Sequence, residues 1–332
     1  MYLFLLALLG VFSLSAVYSV LRTRRISREL TPDGSFATVD GVRLHYHFLP
    51  AEQCRETLPV LVFLHGASGN SYDMRLAMEK MLRHRFPLLF VDRPGLGFSE
   101  PEPGGTGTPQ VQAKLIAGLL KVLEIERAVV VGHSFGGAVT AALGLAAPDR
   151  VKGLAFLAPV SHVWPGGINW YYRVAALPVI GWLFTWTLTL LVGERLAPVM
   201  LAHVFHPDPA PAHYAEAVRL PLLFRPRSFR SNARDICSLK AAVRRQSDCY
   251  AQIAQPALVV SGTQDTVVWP SIHCEGLLKD LPQAELVMLD RAGHMPHHTH
   301  AGEIVTAIER LVERVEVSER VDPDRPQALQ TA

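Results

Sequence analysis

Ser134 is the residue of this sequence best placed to act as a nucleophile. It is the centre of a Gly-X-Ser-X-Gly motif, residues 132–136, which follows a β-branched run at 129–131 and precedes a small-residue helical pattern at 138–147. A tight turn between a strand and a helix lifts the serine hydroxyl off the sheet toward a substrate. A glycine-rich turn without catalytic function is the alternative, and the flanking strand and helix favour the nucleophile.

The negative charge that forms when a serine attacks a carbonyl carbon needs backbone N–H donors. The N–H of Phe135, at the start of the new helix, is free to be one of them. The second is expected in the loop after the apolar run 60–64, where we predict the Ala67 N–H and, as a less favoured substitute, the Ser68 N–H. The residues expected to support this loop and the serine turn are His65, Gly66, Gly132, His133 and Gly136.

A serine hydroxyl needs a base within hydrogen-bond reach, and the base needs a third group to orient it. Two residues downstream fit these roles, each in a loop just after a predicted strand: Asp265 after 257–262, and His294 after 285–289. Because parallel strands end at the same edge of a sheet, both side chains are expected to meet the serine there. We therefore predict Asp265 as the acid and His294 as the base, with Asp290 as the alternative acid.

Three more histidines follow the predicted base and raise the question of a metal site. His297, His298 and His300 have no carboxylate or cysteine at ligand spacing beside them, so we expect a solvated loop or helix start and no metal. Glu303 is expected to compensate the dipole of the helix that begins there. The glycines of 95–97 lack the third glycine and the lysine of a phosphate-binding loop, which indicates a structural turn beside the pocket.

The composition is that of a globular protein with a large core. The chain has 332 residues, 49% of them hydrophobic and 19% charged, which argues against disorder. The net charge is only +2 and no basic stripe is present, so a nucleic-acid partner is not expected. The four cysteines form no C-x-x-C pair, and we expect them to be reduced and structural; they are Cys54, Cys237, Cys249 and Cys274.

The segment 1–21 is apolar and contains no charged side chain. About 20 apolar residues are enough to cross the hydrocarbon core of a bilayer as a helix. No basic segment precedes this run, and the only small-X-small candidates for cleavage lie inside it, which favours an uncleaved anchor over a signal peptide. Arg22, Arg24, Arg25 and Arg28 follow at once, so the positive-inside rule predicts that the catalytic domain lies on the cytoplasmic side.

Strand and helix patterns alternate along most of the chain, which predicts an α/β fold with a parallel sheet covered on both faces. The alternation stops after the predicted strand 151–157 and resumes at 257–262. The apolar segment between them, 161–253, is broken by prolines and is expected to form a helical cap over the site. Residues 174–192 within it are apolar enough to form a second membrane span. A proline and a glycine interrupt this stretch, which favours a helix of the cap.

These patterns divide the chain into six segments. We predict an anchor at 1–21, a linker at 22–35, the first part of the core at 36–160, the cap at 161–253, the second part of the core at 254–317 and a flexible tail at 318–332. The last helix of the core is expected over 303–315, because the residues from 318 onward are polar and rich in proline.

Together these motifs resemble those of the α/β-hydrolase superfamily, in its cap-bearing esterase and lipase-like branch. The matching pieces are residues 65–69, 92–99, 132–137, 262–265 and 293–297. The resemblance implies an eight-stranded, mostly parallel sheet, with the cap inserted after strand six, and no cofactor. Related dehalogenases and epoxide hydrolases have an aspartate at the position of Ser134, so the serine argues against both activities. The apolar N-terminal segment departs from the plain soluble members.

The sequence therefore predicts a membrane-anchored serine hydrolase that cleaves carboxylic esters, with an apolar acyl chain, through an acyl-enzyme. The same triad also fits a hydrolase of carbon–carbon bonds or an acyltransferase. A non-catalytic ligand-binding protein on the same fold is the third interpretation. The partners expected are a small, lipid-like ester substrate and a membrane.

Overall fold

The computed structural model describes residues 1–53, 58–105 and 107–321. Within them, eight strands form one sheet in the order β1-β2-β4-β3-β5-β6-β7-β8. The strands are β1 Ser35–Val39, β2 Val42–Leu49, β3 Val60–Leu64, β4 Leu88–Val91, β5 Ala128–His133, β6 Val151–Leu157, β7 Ala257–Gly262 and β8 Ala284–Leu289. The β1–β2 and β2–β4 pairs are antiparallel, and the other neighbours are parallel. The predicted eight-stranded, mostly parallel sheet is confirmed.

Helices cover both faces of the sheet, which is why the central strands are almost continuous apolar runs. Along β3, Leu61 and Phe63 face one layer of helices, whereas Val62 and Leu64 face the other. The first layer consists of α2, Ser71–Leu82, and α13, Ala301–Val321. The second layer consists of α3, Pro109–Val122, α4, Phe135–Ala146, and α11, Pro270–Asp280. The period-two alternation of a strand thus builds two cores from one sheet.

The segment between β6 and β7 is helical, at the place in the chain where the sequence predicts the cap. Its helices are α5 Trp170–Ala176, α6 Val179–Phe184, α7 Leu190–Phe205, α8 Tyr214–Ala217, α9 Pro221–Phe224 and α10 Pro226–Ser247, with a π-helical turn at Thr185–Thr189 between α6 and α7 and a 3₁₀ turn at Tyr250–Gln252. We refer to residues 161–253 as the cap. Its longest helix, α10, has one face buried against the rest of the chain and one face in solvent.

The first helix, α1, runs over Tyr2–Glu29, so the predicted linker at 22–35 is wrong for residues 22–29. The second half of α1 packs on the cap: the Ser15 hydroxyl donates to the Thr187 carbonyl, and the Arg22 guanidinium pairs with Glu194 at 2.8 Å. Within the described residues, the helical stretch long and apolar enough to cross a membrane is Val179–Phe205, in the cap. That residues 1–21 cross a membrane stays a prediction.

The C-terminal end differs from the prediction. Helix α13 continues through residues 318–321, which were expected to belong to the flexible tail. Residues beyond 315 have partners on the core, because Glu316 and Glu319 both pair with Arg127, which directly precedes β5. The short helix α12, Pro296–Thr299, precedes it. Residues 322–332 and Cys54 lie outside the described residues; among the described cysteines, all three are free thiols.

Replacement of Gly262 by alanine should lower the stability of the fold. A Cβ there would lie 2.0 Å from the Ala292 carbonyl oxygen, so the backbone after β8 would have to move. We expect Gly262→Ala to reduce the free energy of unfolding by about 1–3 kcal/mol, as overpacking does. Urea unfolding measures this loss. Gly10→Ala is the control, because no atom lies within 4 Å of its added Cβ; equal midpoints for both variants would contradict the prediction.

Candidate active site

Ser134 lies in a sharp turn between β5 and α4, with φ 52° and ψ −114°. A residue other than glycine adopts such a backbone only where its surroundings fix it. Two glycines allow the close approach that fixes it. A Cβ on Gly132 would lie 2.3 Å from the Gly136 carbonyl oxygen, and a Cβ on Gly136 would lie 2.3 Å from the Leu64 carbonyl oxygen. The glycines of the motif are therefore a steric requirement of the turn.

The structure brings Ser134, Asp265 and His294 together, although they lie on three different loops. His294 Nε2 is 3.1 Å from Ser134 Oγ, and its Nδ1 is 2.8 Å from Asp265 Oδ2. Asp265 Oδ1 accepts hydrogen bonds from the N–H groups of Val267 and Val268, each at 2.9 Å. Because a carboxylate only accepts, His294 Nδ1 carries the proton and Nε2 is free to take one from the serine. This arrangement can activate the hydroxyl as a nucleophile.

The alternative acid, Asp290, does not take part in this arrangement. Its side chain is 85% exposed and pairs with its neighbour Arg291 at 3.5 Å. Glu303 is exposed in the first turn of α13, the position in which a carboxylate compensates the helix dipole. The structure therefore places Asp265, from the loop after β7, beside the histidine.

The two predicted oxyanion donors are the backbone N–H groups of Ala67, in the loop after β3, and of Phe135, the first residue of α4. Within the described residues, neither the Ala67 N–H nor the Phe135 N–H donates to a protein acceptor. The Ser68 N–H, the substitute donor, is already bound, because it donates to Asn232 Oδ1 of α10 at 2.7 Å. That hydrogen bond leaves Ala67 as the donor that this loop can offer to a ligand.

The His65 side chain holds the loop from inside. The backbone N–H of Arg93 donates to His65 Nε2 at 3.0 Å, so Nδ1 carries the proton, and it donates to the Gly66 carbonyl at 2.8 Å. Burial, and then the nearby Arg93 charge, lower the pKa of His65 to about 3. The imidazole is therefore neutral in the folded protein over the ordinary pH range, with both nitrogens hydrogen-bonded.

Arg93, to which no sequence motif assigns a role, is the largest fully buried side chain among the described residues. Its Nε donates to the His65 carbonyl at 2.9 Å and its Nη2 to the Gly66 carbonyl at 3.1 Å. Its Nη1 lies 2.9 Å from Asp235 of α10, and the guanidinium stands over the Phe135 ring at 4.2 Å from its centroid. The sequence signal for this residue is the motif at 92–99, whose glycines indicate a turn.

His133, the residue before Ser134, connects the turn at Ser134 to the loop that contains His294. His133 Nε2 donates to the His294 carbonyl at 2.9 Å, which again fixes the tautomer, because a carbonyl only accepts. Burial, followed by the neighbouring His297, lowers the pKa of His133 well below its usual range. A neutral buried imidazole thus anchors the carbonyl of the residue predicted to be the base.

A carboxylate from a distant part of the chain joins the histidines after His294, although the sequence has none at ligand spacing beside them. Asp73 of α2 is 3.2 Å from His297 Nε2 and 2.7 Å from His298 Nε2, and it accepts from the Tyr214 hydroxyl at 2.7 Å. Burial raises the pKa of Asp73, but the two histidines outweigh it and hold this pKa well below its usual range. His297 and His298 lie in the short helix Pro296–Thr299, so the predicted helix start is confirmed. The alternative, a solvated loop, is wrong, because His297 is fully buried.

This cluster also has the composition of a metal site. Asp73, His297 and His298 offer three ligand atoms within 4.8 Å of one another, and so does a second set, Asp33, His45 and His47. Carboxylate and imidazole together suit zinc and other divalent metals. In the first set, hydrogen bonds from the histidines and Tyr214 to the carboxylate account for the arrangement without an ion.

The buried neutral histidines should make the protein less stable in mild acid. Folded His65 stays neutral down to about pH 3, whereas the unfolded residue binds a proton near 6.5, so its contribution is complete above pH 6.5 and is lost as the pH falls. Each such histidine removes about 1.4 kcal/mol between about pH 8 and about pH 5.5. Urea unfolding at the two pH values measures this loss.

His65→Asn should reduce that pH dependence, although it lowers the stability at both pH values. The control is His213→Asn, because the His213 side chain is 84% exposed and is therefore surrounded by water in the folded as in the unfolded protein. The prediction fails if both variants lose the same stability as the parent chain between the two pH values.

The comparisons agree with this architecture. A family model described as the alpha/beta hydrolase fold matches residues 59–301. Over 320 residues the chain is 26% identical to an uncharacterised protein of Mycobacterium tuberculosis, covering 90% of this chain and 86% of that protein. Over 254 residues it is 26% identical to a 2-hydroxy-6-oxononadienedioate/2-hydroxy-6-oxononatrienedioate hydrolase of Cupriavidus pinatubonensis, covering 73% of this chain and 82% of the hydrolase.

Among solved structures, a membrane phospholipase A described as a bacterial virulence factor is similar along nearly the whole chain. The TM-score is 0.66 at 22% identity, and the match covers 95% of this chain and 99% of that protein. Identity this low shows the fold and nothing finer. With the family model matching most of its length and the sheet order described above, the chain belongs to the α/β-hydrolase fold family.

Proposed function

We propose that the protein is a serine hydrolase that cleaves carboxylic esters. The observation that supports this most directly is the 3.1 Å approach of His294 Nε2 to Ser134 Oγ, with the imidazole oriented by Asp265. A base correctly oriented beside a serine hydroxyl is the arrangement that nucleophilic acyl transfer requires. The family to which the chain belongs contains hydrolases, which fits this activity.

The reaction follows from the positions of these groups. Ser134 Oγ attacks the ester carbonyl carbon while His294 Nε2 takes the hydroxyl proton, and the Ala67 and Phe135 N–H groups stabilise the oxyanion. The histidine then passes the proton to the leaving alkoxide, which gives an alcohol and an acyl-enzyme. Water, deprotonated by His294, attacks the acyl carbon, and the proton returns to Ser134 as the acid leaves. Asp265 stabilises the imidazolium in both steps.

An apolar acyl group is the substrate chemistry that the cap supports best. Tyr172 of α5 has its hydroxyl 3.5 Å from Ser68 Oγ, and its ring stacks on Phe229 of α10 at 5.8 Å between centroids. This pair belongs to an apolar cluster with Ala175 and Ala233 beside the oxyanion loop. An aromatic wall at that place favours an alkyl or aryl chain over a charged group.

Cleavage of a carbon–carbon bond is the second candidate, because one relative is named as a hydrolase of 2-hydroxy-6-oxo dioates, which carry a ketone and no ester. Its named substrates are dioates, whose negative charges call for cationic partners. Arg93, the buried arginine behind the oxyanion loop, is already paired with Asp235 and with two backbone carbonyls. Arg93 therefore offers no free positive charge to such a substrate. An acyltransferase that uses the same triad, or a non-catalytic binding protein, would be distinguished by its products or by the lack of them.

We further propose that α1 anchors the chain in a bilayer, with the catalytic domain on the cytoplasmic side, and that the outer face of the cap lies against the same bilayer. Val11, Leu14 and Val17 of α1 are 65%, 73% and 55% exposed. Monomeric soluble proteins rarely leave such apolar side chains in a continuous row on the surface. Of the arginines that follow, Arg24 and Arg28 are exposed and can meet anionic headgroups, whereas Arg22 pairs with Glu194 and Arg25 with Glu29.

The outer side of the cap continues this apolar surface, because α1 packs along the π-helical turn and α7. Val179, Trp182 and Val199 are 78%, 54% and 68% exposed. A tryptophan on such a face suits the interface between headgroups and acyl chains. One structural neighbour that matches nearly the whole of this chain is named as a membrane phospholipase A, so a membrane protein with this fold exists.

The first test is turnover of a series of p-nitrophenyl esters, from acetate to long acyl chains. Ser134→Ala should lower kcat by about 10⁴-fold or more, because the nucleophile is lost while the fold remains. Ser318→Ala, in which a serine that bonds only its own helix is changed, is the control and should keep full activity. Turnover by Ser134→Ala equal to that of the control would overturn the mechanism.

The membrane proposal is tested by co-sedimentation of the full chain with phosphatidylcholine vesicles, with and without phosphatidylglycerol. The double variant Trp182→Asp, Leu183→Asp should bind at least about tenfold more weakly, because charged groups on this face resist entry into the lipid. Val122→Asp, on α3, is the control, because Val122 is 54% exposed on a helix of the core. Equal binding by both variants would contradict the proposed orientation of the cap.

A further inference from the structure

The oxyanion loop is held in place by two residues of the cap. Asn232 and Asp235 lie three residues apart on α10, so they project from the same face of the helix. Both are buried, with 0% and 2% of their surfaces exposed. Asn232 bonds Ser68 directly, and Asp235 acts through Arg93. Neither side chain is part of the Ser134 triad, yet Asn232 contacts the segment that carries the Ala67 N–H, and Asp235 contacts the arginine that holds it.

Arg93 controls the peptide group that contains the Ala67 N–H. That N–H and the Gly66 carbonyl belong to one planar unit, so whatever holds the carbonyl oxygen also sets the direction of the N–H. The Gly66 oxygen accepts from Arg93 Nη2 at 3.1 Å and from His65 Nδ1 at 2.8 Å. Asp235 in turn holds the guanidinium, with its Oδ2 at 2.9 Å from Nη1.

Asn232 controls the peptide group on the other side of Ala67. Its Oδ1 accepts the Ser68 N–H at 2.7 Å, and its Nδ2 donates to Ser68 Oγ at 2.9 Å. Ser68 has a φ of 61°, in the left-handed region that a serine occupies only under constraint. The two hydrogen bonds supply that constraint. The peptide plane on the Ser68 side of Ala67 is therefore fixed directly by Asn232 of α10. The plane on the Gly66 side depends on α10 indirectly, because Asp235 holds Arg93.

The second proposed oxyanion donor is connected to the same network. The Arg93 guanidinium stands over the ring of Phe135, 4.2 Å from its centroid. Because this contact is buried, a shift of the guanidinium would disturb the residue whose N–H is the other donor. One ion pair, Arg93 with Asp235, thus touches both sides of the oxyanion hole.

We infer that Asn232 and Asp235 are positioning residues for the oxyanion hole, so that the hole has its active geometry only when α10 is seated on the core. This inference rests on the proposed Ser134 mechanism. The hole binds the oxyanion of a tetrahedral intermediate, so its geometry affects the rate of acyl transfer more than the binding of the ester. Neither Asn232 nor Asp235 is a partner in the Ser134–His294–Asp265 hydrogen bonds, so these bonds keep all their groups when either residue is replaced.

The test compares Asn232→Ala and Asp235→Asn with the parent chain in ester hydrolysis. Each should lower kcat by about tenfold with KM nearly unchanged, since a misplaced donor costs less than the 10²–10³-fold of a deleted one. An alkyl trifluoromethyl ketone, which adds Ser134 Oγ to its carbonyl and places an oxyanion in the hole, should lose affinity in proportion to kcat/KM. A structural role alone would not produce this proportionality.

The matched control is Gln246→Ala. Gln246 is a buried amide on the same helix and donates to a core carbonyl, that of Ala138, at 2.8 Å, away from the oxyanion loop. It should destabilise the cap to a similar degree while its kcat and ketone affinity stay at the parent values. If the control and the Asn232 and Asp235 variants change together, the inference is overturned and the proposed function stands. If the parent chain neither hydrolyses any ester nor binds the ketone, the proposed function fails, and the inference fails with it.

Discussion

The whole site depends on backbone segments that approach one another more closely than a Cβ atom would permit. A Cβ on Gly136 would lie 2.3 Å from a carbonyl at the end of β3, and a Cβ on Gly262 would lie 2.0 Å from a carbonyl after β8. These contacts bring the ends of four strands to one edge of the sheet. They also hold Ser134 in a backbone conformation that it would not adopt alone. Because Gly136 and Gly262 have no side chains, Ser134, Asp265 and His294 can lie within hydrogen-bond distance of one another.

Such close packing excludes water, so each polar group beneath the site needs a protein partner. His65 meets this need at both ring nitrogens and His133 at its Nε2, each as a neutral imidazole with a defined tautomer. Arg93 is a buried cation, and an arginine in that position is tolerated only when an anion and several acceptors surround it. Its anion, Asp235, comes from the cap. A fully buried charge of the core therefore depends on a residue of the inserted segment, which ties the cap to the core more firmly than apolar contacts alone would.

The parts of the fold that follow from local pattern were predictable from the sequence. The bounds of β3, β6 and β7 agree with the predicted strands, and the loops after β5, β7 and β8 hold Ser134, Asp265 and His294 as expected. The rest depends on partners far apart in sequence. Arg93 meets Asp235 across 142 residues, and Asp73 meets His297 across 224, so no spacing rule indicates either pair. The docking of α1 on the cap is hidden for the same reason, since its apolar pattern suits a membrane and a protein surface equally well.

The cap therefore has two faces with different physical demands. Its inner face, on α10, presents an amide and a carboxylate that must keep hydrogen-bond geometry within tenths of an ångström, as the Ser68 and Arg93 contacts require. Its outer face, along Val179–Phe205, is apolar and largely exposed, and contacts with lipid make no such directional demand. Since α10 packs against α5, α6 and the π-helical turn, a shift of the outer helices is passed to α10 through close-packed side chains. If the outer face rests on a bilayer and α10 sets the oxyanion hole, then membrane binding and acyl transfer both depend on how the cap sits on the core.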